Sequence, residues 1–121
     1  MTGPAVILRA QLAWADLEES QPVIYDRPIG VRLLYQDPRS GAEHYLIGYP
    51  PGLQVQRHTH SAAHTIIVLD GVMDANGELL HADSYAHFES GSVHHHAPAE
   101  GGPCLFVIIF HGPFDVTPAG A

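Results

Sequence analysis

Residues 52–71 read GLQVQRHTHSAAHTIIVLDG. Two glycines bracket the stretch, and its second half, Thr65 to Leu69, is dominated by β-branched and aliphatic residues, the composition of a buried strand. In an extended chain, side chains two apart point to the same side, so His58 and His60 project together. After the short Ser61-Ala62-Ala63 link, His64 opens the next strand and can point back into the same space. The His60–His64 spacing also suits a helix, but the flanks carry strand composition, so it is not read as a helical metal face. Three imidazoles converging in this way are transition-metal donors.

Outward from this stretch the pattern stays β-like. Twelve glycines and ten prolines punctuate the chain about every 8–12 residues, which is the cadence of an all-β sandwich or barrel. Strands are predicted near Val6–Ala10, Val31–Gln36, Glu43–Tyr49, Leu53–Arg57, Thr65–Leu69, Val72–Ala75, Glu78–His81, Tyr85–Phe88, Val93–Ala97 and Leu105–Phe110. Asn76-Gly77 lies between two of them and signals a type I′ hairpin, which needs positive φ at both positions. Trp14–Ser20 reads as a helical turn, and Thr117–Ala121 shows no pattern. No repeat or linker divides the chain, so residues 1–121 are expected to form one domain. A fourth metal-facing histidine has to come from the run His94-His95-His96. His94 follows the Gly91 turn, His95 would face away, and His96 shares the parity of His94. Arg57 has the opposite parity to His58 and is expected outside the cavity.

Charge and composition exclude several function classes. The chain has five basic residues, all arginine, against thirteen acidic ones, for a net charge of −8. Phosphate neutralisation needs Lys or Arg, so nucleic acid and anionic membrane surfaces are not expected partners. The absence of lysine removes Schiff-base chemistry and the P-loop. No run is apolar enough to span a membrane, and the N-terminal stretch lacks the basic region of a signal peptide. Cys104 is the only cysteine. It heads the apolar run CLFVIIF, reads as a small buried hydrophobe, and agrees with a reducing cytoplasm. A HExxH protease, a cysteine-ligated deaminase and a G-x-S-x-G hydrolase lack their motifs. Glu89 reads as a solvated turn carboxylate, and His44, His81, His87 and His111 as surface or hydrogen-bonding residues.

The spacing Gly52-x5-His58-x-His60-x3-His64-x6-Gly71 resembles the first motif of the cupin superfamily, with His64 where most cupins have Glu. The segment Asp83-SYAHF-Glu89-Ser-Gly91-SV-His94-HHA-Pro98 resembles the second motif at Gly91 and His94. Asp83, Glu89 and Pro98 replace its usual Gly, Pro and Asn. The resemblance implies a double-stranded β-helix, the cupin jelly-roll barrel, and a metal site of His58, His60, His64 and His94. In some relatives the position of His64 is not a ligand. Replacing Glu by His changes the charge of a divalent site from about +1 to about +2. The run from Val68 to His96 resembles cupins related to zinc-binding anti-sigma factors and acetylacetone dioxygenases. Alternation from His64 turns Ile66 inward, and family geometry implies Phe106 and Ile108 beside it as substrate-binding residues.

The same resemblance implies a metal-dependent enzyme in the cytoplasm, a homodimer as cupins commonly are. A dioxygenase cleaving a small enolisable or phenolic substrate ranks first. A non-redox cyclase, isomerase or lyase comes second and a metal- or ligand-sensing module third. One divalent transition ion is implied: Fe or Mn for the first, with Zn, Ni or Cu as alternatives.

Overall fold

The computed structural model describes residues 5–119. Twelve strands run in chain order: β1 Glu18–Ser20, β2 Ile29–Gln36, β3 Glu43–Tyr49, β4 His58–His60, β5 His64–Gly71, β6 Met73–Ala75, β7 Glu78–Leu80, β8 Tyr85–Phe88, β9 Val93–His94, β10 His96–Pro98, β11 Cys104–Phe110 and β12 Val116–Pro118. They form a six-stranded sheet ordered β1-β2-β3-β11-β5-β8 and two three-stranded sheets, β10-β6-β7 and β12-β4-β9. All the pairings are antiparallel. The core lies between the layers: Ile47, Tyr49, Ile66, Val68, Phe106 and Ile108 from the large sheet meet Met73, Ala75 and Ala97 from the small ones. The architecture is the jelly-roll barrel.

β11 is the central strand, paired with β3 on one side and β5 on the other. Its run CLFVIIF is buried at Cys104, Phe106, Ile108 and Phe110 and only partly so at Val107 and Ile109, the alternation of an antiparallel strand with one face on the core. The β6–β7 hairpin turns at Asn76 (φ 51°) and Gly77 (φ 93°), and the Gly77 amide donates to Asp74 Oδ1 at 2.8 Å. Both positive φ values are those of the predicted type I′ turn.

Five local expectations are corrected. Val6–Ala10 forms no strand: Arg9–Gln11 is a 3-10 turn, and Val6 and Leu8 stay exposed, so the run finds neither a ladder partner nor a core. Leu53–Arg57 makes only an isolated bridge, Tyr25 to Val55. Its Leu53 and Val55 are buried all the same; alternation there reports burial rather than strand pairing. Val93–Ala97 divides at His95, because β9 pairs with β4 whereas β10 pairs with β6, and the chain passes from one small sheet to the other between His94 and His96. Trp14–Ser20 is a 3-10 turn at Trp14–Asp16 followed by β1. In the C-terminal stretch, Thr117 and Pro118 belong to β12 on β4, and residues 120–121 lie outside the described part.

Candidate metal centre

The barrel interior collects five histidines. His58 and His60 are the two inward residues of β4, with Thr59 between them facing the other way. His64 begins β5, flanked across the sheet by Phe88 and Phe110. β9 pairs with β4 so that His94 stands opposite His58, and His96 begins β10. All five are at most 4% exposed. Ring centroids lie 4.8 Å apart for His58–His60, 4.4 Å for His60–His64, 4.8 Å for His64–His94 and 5.1 Å for His58–His96. The four histidines expected from the sequence are therefore brought together, and His96 joins them. Its signal was present in the parity it shares with His94, but the cupin motif has no place for a second histidine there.

Hydrogen bonds outside the cage set the orientation of the rings. His58 Nδ1 is 2.8 Å from the Gln56 carbonyl oxygen. A carbonyl only accepts, so Nδ1 carries the proton and Nε2 keeps its lone pair. Ser92 Oγ donates to the Glu89 carbonyl at 2.8 Å, and so it accepts from His94 Nδ1 at 3.3 Å. His96 Nδ1 lies 2.7 Å from the Tyr49 hydroxyl, which is 2.9 Å from that of Tyr25. Seven buried ring nitrogens have no partner: Nε2 of His58, His94 and His96, and both nitrogens of His60 and His64. Buried polar atoms are nearly always satisfied, so this cluster of orphaned ring nitrogens, with one lone pair on each of the five neutral rings, is what a cation site provides.

Burial keeps the cage neutral. It lowers His60 to about 3, His64 to about 2 and His94 to about 4, with repulsion from neighbouring imidazoles adding to the shift. His58 is lowered and His96 is pushed well below its ordinary value, again mainly by burial. Neutral imidazole is the ligating form. The donor atoms of His58, His60 and His96 lie within 4.8 Å of one another, as do those of His60, His64 and His94. Two nitrogens on one ion at Zn–N distances can be at most about 4.2 Å apart, so sub-ångström shifts suffice. The residues fit a divalent transition ion.

A cavity of about 190 Å³ adjoins the cage, with His60 and His96 in its lining. Ile47, Phe106, Ile108 and Phe110 form apolar wall, and Tyr25, Tyr45 and Tyr49 supply hydroxyls. Phe106 and Ile108, expected as substrate-binding residues, stand here. Ile66 does not: it is fully buried in the core between β11 and β8 and is absent from the lining. Alternation gave its side of the sheet, but the bulk of neighbouring side chains separates it from the cavity. Tyr25 and Tyr49 escaped the sequence reading, because nothing local indicates which way a tyrosine faces. Burial raises the Tyr25 hydroxyl to about 12 and pushes Tyr49 well above the usual tyrosine value, so both keep their protons.

Five histidines lie apart from the cage. On the outer face of the large sheet, Thr65 Oγ1 bridges His87 Nδ1 at 2.9 Å and His111 Nε2 at 2.8 Å. His44 packs against the Tyr35 ring, His81 is exposed, and the His95 amide donates to Asn76 Oδ1 at 2.6 Å. Cys104 is fully buried and its thiol is raised to about 12 by burial, the behaviour of an inert hydrophobe.

The family profile of the ChrR cupin-like domain matches residues 3–115. The sequence matches no curated protein. Among solved structures, the acetylacetone dioxygenase from Acinetobacter johnsonii superposes with TM-score 0.76 at 19% identity, covering 95% of this chain and 78% of that one. The polyketide cyclase RemF from Streptomyces resistomycificus gives 0.74 at 18%, covering 90% and 84%. The Rhodobacter sphaeroides complex of SigE with the anti-sigma factor ChrR gives 0.64 at 17%, covering 78% and 50%. At these identities the likeness is one of fold.

Proposed function

The chain belongs to the ChrR cupin-like domain family, and on that premise we propose that it is a metal-dependent enzyme oxidatively cleaving a small enolisable or phenolic substrate with dioxygen. One observation carries the reading: a cage of buried, unpartnered histidine nitrogens opens onto an apolar cavity. A binding module needs the cage, whereas an enzyme also needs room for a substrate beside it. About 190 Å³ is below the roughly 300–1,000 Å³ of drug-sized sites, so the substrate is small.

His58, His60, His64 and His94 would hold the ion. Bound there, a divalent ion polarises a substrate oxygen and, if it is Fe or Mn, takes part in electron transfer to dioxygen. The remaining work falls to the protein. Phe106, Ile108 and Phe110 press the carbon skeleton into place and exclude water, which strengthens every electrostatic interaction inside. Tyr25, protonated and accepting from Tyr49, keeps its own O–H to orient a substrate oxygen. With four neutral imidazoles and no carboxylate donor, the cage favours an anionic enolate or phenolate over a neutral ketone.

The all-imidazole donor set also suits zinc, and RemF, which shares the fold, is a polyketide cyclase. This favours a second reading, a non-redox cyclase, isomerase or lyase. Metal analysis of protein purified without a histidine tag, followed by oxygen-electrode assays with β-diketones and catechols after Fe or Mn loading, separates the two. One ion per chain with substrate-dependent oxygen uptake, both lost in His58→Ala, is expected. Bound metal without uptake, together with zinc-dependent turnover, selects the second reading, and unchanged metal content in His58→Ala and His94→Ala removes both. The lone buried thiol fits a reducing cytoplasm, where we place the enzyme, acting as a homodimer.

A further inference from the structure

The two donor triads of the cage share His60, and their other rings also approach one another, His58 to His94 and His64 to His96 both at 5.8 Å between centroids. The cupin motifs account for His58, His60, His64 and His94, and leave His96 without a role. Resting on the metal-centre reading, we propose that His96 is a fifth ligand to the same ion, held with Nε2 inward by the Tyr49 hydroxyl and occupying the side that faces the cavity.

Three observations carry this. First, His96 is built like the two motif histidines whose rings are fixed from outside. His58 leans on the Gln56 carbonyl, His94 on Ser92 Oγ and His96 on Tyr49, each through Nδ1; each leaves Nε2 buried and without a partner. Second, the Tyr49–Tyr25 contact gives the hydroxyl of Tyr49 an acceptor. Tyr49 can then donate to Tyr25 and accept from His96 Nδ1–H, which frees the Nε2 lone pair. The opposite arrangement, with Tyr49 donating to His96, would bury an Nε2–H among four other imidazoles with nothing to receive it. Third, among the five histidines only His60 and His96 line the cavity, so a molecule there meets the ion beside His96. Five imidazoles leave one position of a six-coordinate ion. The substrate therefore binds through a single oxygen rather than as a chelate, and substrates with one donor oxygen are accepted.

Protein labelled with [15N]histidine, freed of metal and reloaded with cadmium-113, reads the donors directly, because each coordinated nitrogen is split by the cadmium nucleus. Five split imidazole nitrogens are expected, one of them lost in His96→Gln. Four split signals that all persist in His96→Gln overturn the proposal. The count in the unaltered protein needs no variant, so it stands even if His96→Gln does not fold. Tyr49→Phe is expected to weaken Co(II) binding about tenfold, as loss of a ligand's supporting hydrogen bond does, and to shift the Co(II) visible bands; an unchanged affinity and spectrum overturn the role given to Tyr49. Unaltered protein that takes up neither metal overturns the metal-centre reading itself, and this inference with it.

Discussion

His60 and His64 hold four orphaned ring nitrogens between them, with folded-state values of about 3 and about 2 against an ordinary 6.5. These depressed values have a direct consequence for the chelated protein. Above pH 6.5 the histidines are neutral folded or unfolded, and full stability is present. As pH falls through 6.5 the unfolded chain binds protons that the cage refuses, so stability drops steadily until the folded values near 2–4 are reached. Thermal unfolding of chelated protein between about pH 8 and pH 4.5 is expected to show a flat melting temperature down to about pH 6.5 and then a continuous decline. A melting temperature independent of pH over that range would mean that the cage protonates as readily as free histidine. At this scale much of the site was legible. His58, His60 and His64 announce themselves by spacing alone, and His94 by a glycine turn. His96 was visible only as a parity, and Tyr49 not at all, since its partner is 47 residues away.

Between elements, the cage depends on how two short strands are placed. β9 and β10 together hold five residues, too few to fix their own position, and Asn76 at the hairpin turn does it for them. Its side chain receives the His95 amide at 2.6 Å and its own amide donates to the His95 carbonyl at 2.8 Å. His95 is thereby anchored, and His94 and His96 project inward on either side. Asn76 also sits at φ 51°, which asparagine tolerates better than alanine. Asn76→Ala is expected to cost about 1–3 kcal/mol, from a lost hydrogen bond to a backbone amide and from left-handed strain. It should weaken metal binding as well, while Gly77→Ala at the same turn lowers stability alone. Chemical denaturation and Co(II) titration of the two variants check this; equal metal affinity in both would detach the turn from the cage. Strands such as β3 and β8 could be read from sequence because each is a β-rich run bounded by turn residues. The division of residues 93–97 could not, because it arises where the chain changes sheets, and that is set by partners distant in sequence.

Over the whole molecule, the six-stranded sheet turns a cross-strand row of Leu46, Val107, Ile67 and Tyr85 to its outer face. Leu46 is covered, but Ile67 is 37% and Tyr85 65% exposed. A second copy laid against this row would bury it, and this is where the proposed homodimer would form. Light scattering is expected to give twice the chain mass for the unaltered protein and a monomer for Ile67→Asp, at undiminished metal content. A monomer before any substitution would leave the row as ordinary exposed surface. The described residues contain no helix long and apolar enough to cross a membrane. The all-β class was legible because glycine and proline punctuation fixes strand spacing, and the jelly roll through the resemblance of residues 52–71 to the cupin motif; the layering of two small sheets against one large one was not. The rings fixed from outside by Gln56, Ser92 and Tyr49 bear on a problem every metalloprotein faces in the cell. Copper outcompetes the other divalent ions for almost any nitrogen site, and affinity alone cannot prevent it. Copper(II) prefers a flattened, tetragonal arrangement, however, and imidazoles brought in from several strands, three of them held from behind, would resist spreading into a plane. A scaffold of this kind would impose its own polyhedron on a bound ion, so that discrimination between ions would rest on the stiffness of the frame rather than on the strength of its donors.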